Sequence, residues 1–283
     1  MKTEKKYLAL FVILLSFDFC YSQQNSKIDS LLSLLKTDKE DTNKVNHLNK
    51  LNWELMNTGD YDKAIKYSSD ALLLATNIKY KRGMGTSYNN IGNIHWAKSD
   101  YDKAIDFYFK AIKIREEIGD KKGMAATYSN IGNIHYAKSD YDKSMEFQLK
   151  ALKINEEIKD TKGLGVTYNN VGIIYYRQGN YDKAMEFYSR SLKANKEIGN
   201  KNSEAHNLVA IGVIYKEKGE YDKAIKFCNE AITIQEEIGD KKELSLACNI
   251  LAESYLKQGK IEEGRKQGLK SLSIAKEINA KEE

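Results

Sequence analysis

Proline is absent from this 283-residue chain, cysteine occurs three times and tryptophan twice. With no ring to lock φ or remove a backbone N–H, nothing obstructs long helices joined by short turns. Three cysteines cannot supply the disulfide framework of a small secreted domain. A dominant charge is also lacking: 45 Lys and Arg face 40 Asp and Glu, for a net +5, and the signs alternate along the chain. A nucleic-acid footprint needs basic side chains gathered on one face, whereas this distribution reads as solvated helix surfaces. There is no phosphate-binding loop, no nucleophile elbow and no distinct carboxylate pair. A hydrolase or transferase would therefore lack its nucleophile, base or metal. No enzymatic activity, cofactor or metal is expected, and no nucleic-acid partner.

Long hydrophobic runs are scarce, with one exception. Lys2, Lys5 and Lys6 precede the apolar stretch Tyr7–Phe17, which Asp18 ends. A membrane-spanning helix needs about 20 apolar residues, so this run has the length of a signal-peptide core. Cys20-Tyr21-Ser22 places small residues at the two recognition positions, and cleavage is expected after Ser22. The alternatives are an uncleaved amphipathic anchor and a lipoprotein modified at Cys20. Phe19 fits the second poorly, because that processing wants a small residue there. No later segment is apolar enough to span a bilayer. The mature chain is expected in the periplasm or outside the cell, retaining Cys228 and Cys248, either as buried free thiols or as a disulfide.

What the sequence has in quantity is a repeat. Tyr61-Asp62-Lys63-Ala64 returns as Tyr101-Asp102-Lys103-Ala104, Tyr141-Asp142-Lys143-Ser144, Tyr181-Asp182-Lys183-Ala184 and Tyr221-Asp222-Lys223-Ala224, then as a degenerate Ile261-Glu262-Glu263-Gly264. Every step is 40 residues. A second signature keeps that step: Tyr88-Asn89-Asn90-Ile91-Gly92-Asn93-Ile94-His95 has counterparts at 128–135, 168–175 and 208–215 and a last one at 248–255, where Ala252 replaces Gly. Both halves of the unit read as helices. Ala104, Ile105, Tyr108, Ala111, Ile112 and Ile114 follow the three-and-four spacing of an amphipathic helix. Polar breaks such as Lys98-Ser99-Asp100 and Gln178-Gly179-Asn180 separate the halves. Asp100, Asp140 and Asn180 are candidate N-caps, and Gly119-Asp120 and Gly239-Asp240 mark repeat boundaries.

Each unit is thus helix A, turn, helix B, turn. The expected organisation is a signal peptide at 1–22, a leading helix within 23–40, six hairpins at 41–80, 81–120, 121–160, 161–200, 201–240 and 241–280, and a tail at 281–283. One hairpin cannot bury its apolar face alone, so the fold class is an all-α solenoid of antiparallel hairpins stabilised by nearest-neighbour interfaces. Gly92, Gly132, Gly172 and Gly212 sit mid-helix, where Gly costs about 1 kcal/mol against Ala. Close approach to Ala104, Ala184 and Ala224 is the expected compensation.

These residues carry a resemblance to the tetratricopeptide repeat (TPR) family. Tyr88, Ile91, Gly92 and His95 fit its helix A pattern, and Ala104, Tyr108 and Ala111 its helix B pattern. The likeness covers nearly all of 41–280. The usual Pro at the end of helix B is missing and the period exceeds the usual length, as in the longer-helix branch similar to kinesin light chains and LGN-type adaptors. The resemblance implies a right-handed superhelix with a concave groove lined by A helices, and a role in protein–protein binding.

The candidate site lies on the A helices. Asn90, Asn130 and Asn170 share one repeat position, Asn93 and Asn133 follow one turn later, and Trp96, Tyr136 and Tyr176 come next. An Asn amide can donate to and accept from a peptide backbone. Packed helices lie about 8–10 Å apart and an extended chain advances about 3.3 Å per residue, so each Asn could meet a bound peptide about every three residues. Aromatic neighbours add contact area. The resemblance supports this, since adaptors of this branch hold extended peptides with such Asn positions. The ladder fades where Ala210 and Ile250 replace Asn. His95 and His135 occupy a packing position, and His47 and His206 are isolated, so none forms a metal set. The function expected is an exported scaffold for a protein or extended peptide. The rival is a sensory or regulatory module of a truncated or split signalling protein of the histidine-kinase type. The sequence ends at Lys281-Glu282-Glu283, just after the sixth repeat and with no membrane segment, which favours the scaffold.

Overall fold

A computed structural model describes residues 26–279. The signal-peptide segment 1–22 and the tail 281–283 lie outside the described residues. Thirteen helices and no strand occur among the described residues. Helix α1 covers 26–37. The A helices are α2 (Thr42–Asn57), α4 (Lys81–Ala97), α6 (Lys121–Ala137), α8 (Thr161–Arg177), α10 (Lys201–Glu217) and α12 (Lys241–Lys257). The B helices are α3 (Tyr61–Asn77), α5 (Tyr101–Glu117), α7 (Tyr141–Glu157), α9 (Tyr181–Glu197), α11 (Tyr221–Ile238) and α13 (Ile261–Asn279).

The backbone has a finer period than the sequence. A residue with positive φ closes each turn, at Gly59, Lys79, Ser99, Gly119, Ser139, Lys159, Gly179, Gly199, Gly219, Gly239 and Gly259, always 20 residues apart. Both halves of the repeat are therefore the same length, typically a 17-residue helix and a three-residue turn. At Lys79, Ser99, Ser139 and Lys159 the left-handed residue carries a Cβ, with φ between 53° and 60°. L-residues there lose about 1–2 kcal/mol relative to right-handed backbone.

The caps follow the same register. Asp60, Asp140 and Asn180 accept the backbone N–H of Lys63, Lys143 and Lys183 at 3.1–3.2 Å. Asp100, expected to do likewise, makes no side-chain cap. Its carboxylate turns instead to Lys103 Nζ at 2.7 Å, with His95 Nδ1 3.5 Å away.

The described chain divides into two compact units, one ending at Ile134 and the other beginning at His135. In the first, Leu51, Leu55, Ala64 and Ile94 join α2, α3 and α4, and Ile28, Leu31, Leu32 and Leu35 of α1 pack against that cluster. In the second, Ala184, Tyr188, Ile211 and Ile214 join α9 to α10. Leu208, Cys228, Ile232, Cys248 and Leu251 then join α10, α11 and α12. A B helix is thus buried between its own A helix and the next one, at about 1.5–3 kcal/mol for each fully buried Leu or Ile.

Gly92 and Gly212 approach the expected alanines, Ala104 and Ala224, and a side chain one turn further along helix B lies closer still. A Cβ at Gly92 would sit 2.6 Å from the Tyr108 ring and 3.2 Å from Ala104 O. At Gly172 it would meet the Tyr188 ring at 2.9 Å, and at Gly212 the Cys228 sulfur at 2.8 Å. The alanines let the backbones approach, but the side chain one turn further along helix B fills the space.

Candidate functional site

All eight residues of the proposed face are half-buried. Asn90, Asn93, Trp96, Asn130 and Asn133 belong to the first unit, and Tyr136, Asn170 and Tyr176 to the second. In the first, Asn90 Nδ2 donates to Asn49 Oδ1 at 3.0 Å, reaching from α4 back to α2. Asn130 Nδ2 donates to Asn93 Oδ1 at 3.3 Å, reaching from α6 back to α4. The same Asn93 oxygen accepts Tyr108 O–H at 2.7 Å. In the second unit, Asn170 Nδ2 donates to Gln148 Oε1 at 3.4 Å. Asn90, Asn130 and Asn170 therefore each reach a neighbouring helix through the side-chain amide nitrogen, and Asn90 also reaches Asn49 O at 3.4 Å. A side-chain amide both donates and accepts, as recognition of a peptide backbone requires.

The aromatic members rest against the start of the following B helix. Tyr136 and Tyr141 lie with ring centroids 5.7 Å apart, as do Tyr176 and Tyr181. Tyr136 Oη also accepts Arg177 Nε at 2.8 Å. Burial raises the Tyr176 phenol above its ordinary pKa. Trp96 and Asn133 are half-buried on α4 and α6.

A second, deeper ladder was missed by the sequence reading. Ser87 Oγ donates to Asn49 Oδ1 at 3.1 Å, Thr127 Oγ1 to Asn89 Oδ1 at 3.1 Å, and Asn207 Nδ2 to Asn169 Oδ1 at 3.0 Å, each partner lying 38 residues earlier. One hydrogen bond thus repeats from A helix to A helix. Its signal was available, since a polar residue stands 38 positions after an Asn in each case. Helix B adds a buried polar residue to this layer. Arg115 donates to Thr127 Oγ1, Asn155 Nδ2 to Thr167 Oγ1 at 2.8 Å and Asn195 Nδ2 to Asn207 Oδ1 at 3.1 Å, all 12 residues apart. Burial lowers the Arg115 guanidinium from its ordinary pKa, and the Asp120 carboxylate, 3.6 Å from Nε, opposes that shift. Gln235 occupies the same position 40 residues after Asn195. It is fully buried, and neither amide atom has a partner. The residue 12 positions on is Ala247.

His95 stacks on Phe107 at 5.4 Å and His135 on Phe147 at 5.5 Å, each with interplanar angles of 6°. His47 and His206 are not isolated: they face Asp38 at 2.7 Å and Glu243 at 3.6 Å. No group of three or more His, Cys, Asp or Glu among the described residues is placed to hold a metal ion. Cys228 and Cys248 are free and fully buried. No helix among the described residues is long and apolar enough to cross a membrane.

Residues 55–117 and 123–197 match one tetratricopeptide repeat model and 205–238 a second, together more than half of the chain. The chain belongs to the tetratricopeptide repeat family. TPR arrays imply a protein-binding scaffold, generally without enzymatic activity. Solved structures share the fold. BtubC (BKLC) from P. vanneervenii is 19% identical, with a TM-score of 0.70 over 77% of this chain and 92% of that one. A signal transduction ATPase with numerous domains (STAND) that carries a TPR sensor, from Pyrococcus horikoshii, is 20% identical, with a TM-score of 0.76 over 90% of this chain and 41% of that one. A Rap protein complexed with Competence and Sporulation Factor is 19% identical, with a TM-score of 0.66 over 94% of this chain and 74% of that one. No curated protein matches the TPR chain in sequence.

Proposed function

We propose that this TPR protein is an exported, non-enzymatic scaffold that holds an extended peptide or protein segment along its A helices. The observation that carries this reading is the recurrence of Asn90, Asn130 and Asn170 at one half-buried position, each braced through its amide nitrogen against a neighbour. A braced amide loses little further freedom on binding, and an Asn amide can donate to and accept from a peptide backbone. The solved Rap complex is a fold relative with a bound factor. Export rests on the basic start and apolar core of residues 2–17.

Affinity capture tests this. The mature chain from Gln23 serves as bait in an extract of its own cell envelope, beside an Asn90→Ala/Asn130→Ala/Asn170→Ala variant with unchanged helical circular dichroism. Capture by the parent and loss by the variant supports the reading. Equal capture by both moves the site off the Asn ladder. The rival reading, a sensory module of a larger signalling system, draws on the likeness to the TPR sensor of the Pyrococcus protein. Capture of a signalling kinase or ATPase as the sole partner would favour it.

A further inference from the structure

An opening in the first unit lies at the N-terminal edge of the proposed face. It is a cleft of 740 Å³ walled by Lys27 and Leu31 of α1, Asn49 and Trp53 of α2, and Thr86 and Asn90 of α4, with Lys50 and Glu54 also contributing. Only Asn90 belongs to the ladder. The repeat register shows why the cleft continues the same face: Lys50 and Trp53 stand 40 residues before Asn90 and Asn93. In α4 that second position holds a half-buried Asn bonded to Tyr108 and Asn130. In α2 it holds an indole that is 57% exposed.

Two features of the cleft ask for a ligand. An exposed indole leaves a large apolar surface in water, worth about 25 cal/mol per Å² once covered. Asn49, only 7% exposed, spends its Oδ1 on Ser87 and Asn90 while its Nδ2 has no acceptor. A buried donor without a partner costs about 1–3 kcal/mol; that nitrogen is closed to solvent, so a backbone carbonyl entering beside Asn90 would supply the acceptor once the Asn49 amide turns toward the cleft. The charges then choose among peptides. Lys27 and Lys50 line the cleft against the single carboxylate of Glu54, so the local field is positive.

We infer that this cleft is the anchoring subsite of the bound segment: it takes an aromatic side chain of an extended peptide onto the Trp53 indole, with a neighbouring acidic residue facing Lys27 and Lys50. The inference rests on the peptide-binding reading above and adds where the peptide is anchored and by which residue types. Ring pairs of this kind prefer offset or edge-to-face contact, which an open cleft permits.

The test pans the full chain against a phage-displayed library of random peptides. The expected result is enrichment of sequences with an aromatic residue beside Asp or Glu. A synthetic peptide of the enriched sequence should shift the indole emission of the chain to the blue, and Trp53→Phe should remove that shift although Trp96, the other indole, is kept. Trp53→Ala should weaken that peptide by about tenfold or more, as removal of a buried aromatic anchor does. Lys50→Glu, an exposed substitution that leaves the core untouched, should weaken acidic peptides and spare their amide analogues. Peptides without the aromatic–acidic bias, or equal binding by Trp53→Ala, overturn the inference. If such peptides still lose binding on Asn130→Ala, the peptide groove stands without this anchor. Failure to enrich any peptide overturns both.

Discussion

Between α9 and α10 a buried amide meets a buried amide, whereas between α11 and α12 the same repeat position meets a methyl group. Asn195 finds Asn207, and Asn207 also accepts from Ser191 at 2.9 Å and donates to Asn169. Gln235 finds Ala247 and is left with two orphaned atoms. The backbones are alike and the helices have nearly the same length, so the difference isolates chemistry from geometry. A polar residue in this layer stabilises only as one half of a pair. Where the facing position is Ala, the buried amide has no partner and the surrounding contact is apolar packing through Cys228, Ile232, Cys248 and Leu251.

Breaking the first region should have the largest effect. Asn207→Ala removes the acceptor of Ser191 and Asn195 and the donor to Asn169. Ser191 keeps Gly165 O and Asn195 keeps Ser191 O as acceptors, so the Asn169 oxygen is left unpaired, at about 1–3 kcal/mol; with the space left by the shortened side chain, a loss of about 2–3 kcal/mol is expected in urea denaturation followed by circular dichroism. The opposite sign is expected at the second region. Gln235→Leu exchanges two unpaired polar atoms for apolar ones and should gain about 1–2 kcal/mol. Destabilisation there would show that the amide has a partner. Ala247→Thr should gain less, at most about 1 kcal/mol, by giving Gln235 the hydroxyl that Thr127 and Thr167 provide elsewhere. Combined with Gln235→Leu it should gain nothing, and a double-mutant cycle reads that coupling.

The apolar region also predicts silent thiols. Burial pushes the Cys228 thiol up to about 12, and Cys248 is raised for the same reason. At pH 8 a thiol of that pKa is ionised to about one part in ten thousand, and only the thiolate reacts. Peptide mapping after N-ethylmaleimide should find both residues unmodified until the chain is unfolded.

The smallest effect separates two kinds of cap. The Asp60 and Asp140 carboxylates are held below the usual aspartate pKa, Asp60 chiefly by its hydrogen bond to Lys63 Nζ and Asp140 chiefly by the backbone N–H of Lys143. A depressed carboxylate adds stability above its unfolded pKa of about 4 and loses it as pH falls through the lower folded value. Asn180 caps α9 without a titrating group. Below pH 4 the first turns of α3 and α7 should exchange amide hydrogens faster relative to α9 than they do at neutral pH.

Much of the fold was legible because the pattern repeats in register: Tyr-Asp-Lys opens helix B and Gly-x-Ile crosses helix A at fixed intervals. The 20-residue half-period was not, because A and B helices carry unrelated core residues, and Lys79 and Ser99 conceal a turn position that glycine marks elsewhere. The tyrosine rings against Gly92 and Gly172 were missed because a wheel diagram shows which face a residue occupies, not how far a ring reaches along it. At the site, recurrence alone revealed Asn90, Asn130 and Asn170. Their bracing was hidden because Asn49 and Gln148 lie off the recurring position. Trp53 looked like the irregularity of an end repeat, and the cleft it lines is walled on one side by α1, which has no counterpart in the array.

The bond that steps back 38 residues has a consequence for how such a chain can change over generations. Within each unit the donor and acceptor meet only if the intervening helix, turn, helix and turn keep their length. A one-residue insertion between them would rotate the following helix by about 100° and send the donor of that pair to the wrong face. Gain or loss of a 40-residue block leaves the pairing intact. Heritable length variation in this protein should therefore be quantised, with whole repeats as the tolerated unit and small insertions confined to its ends.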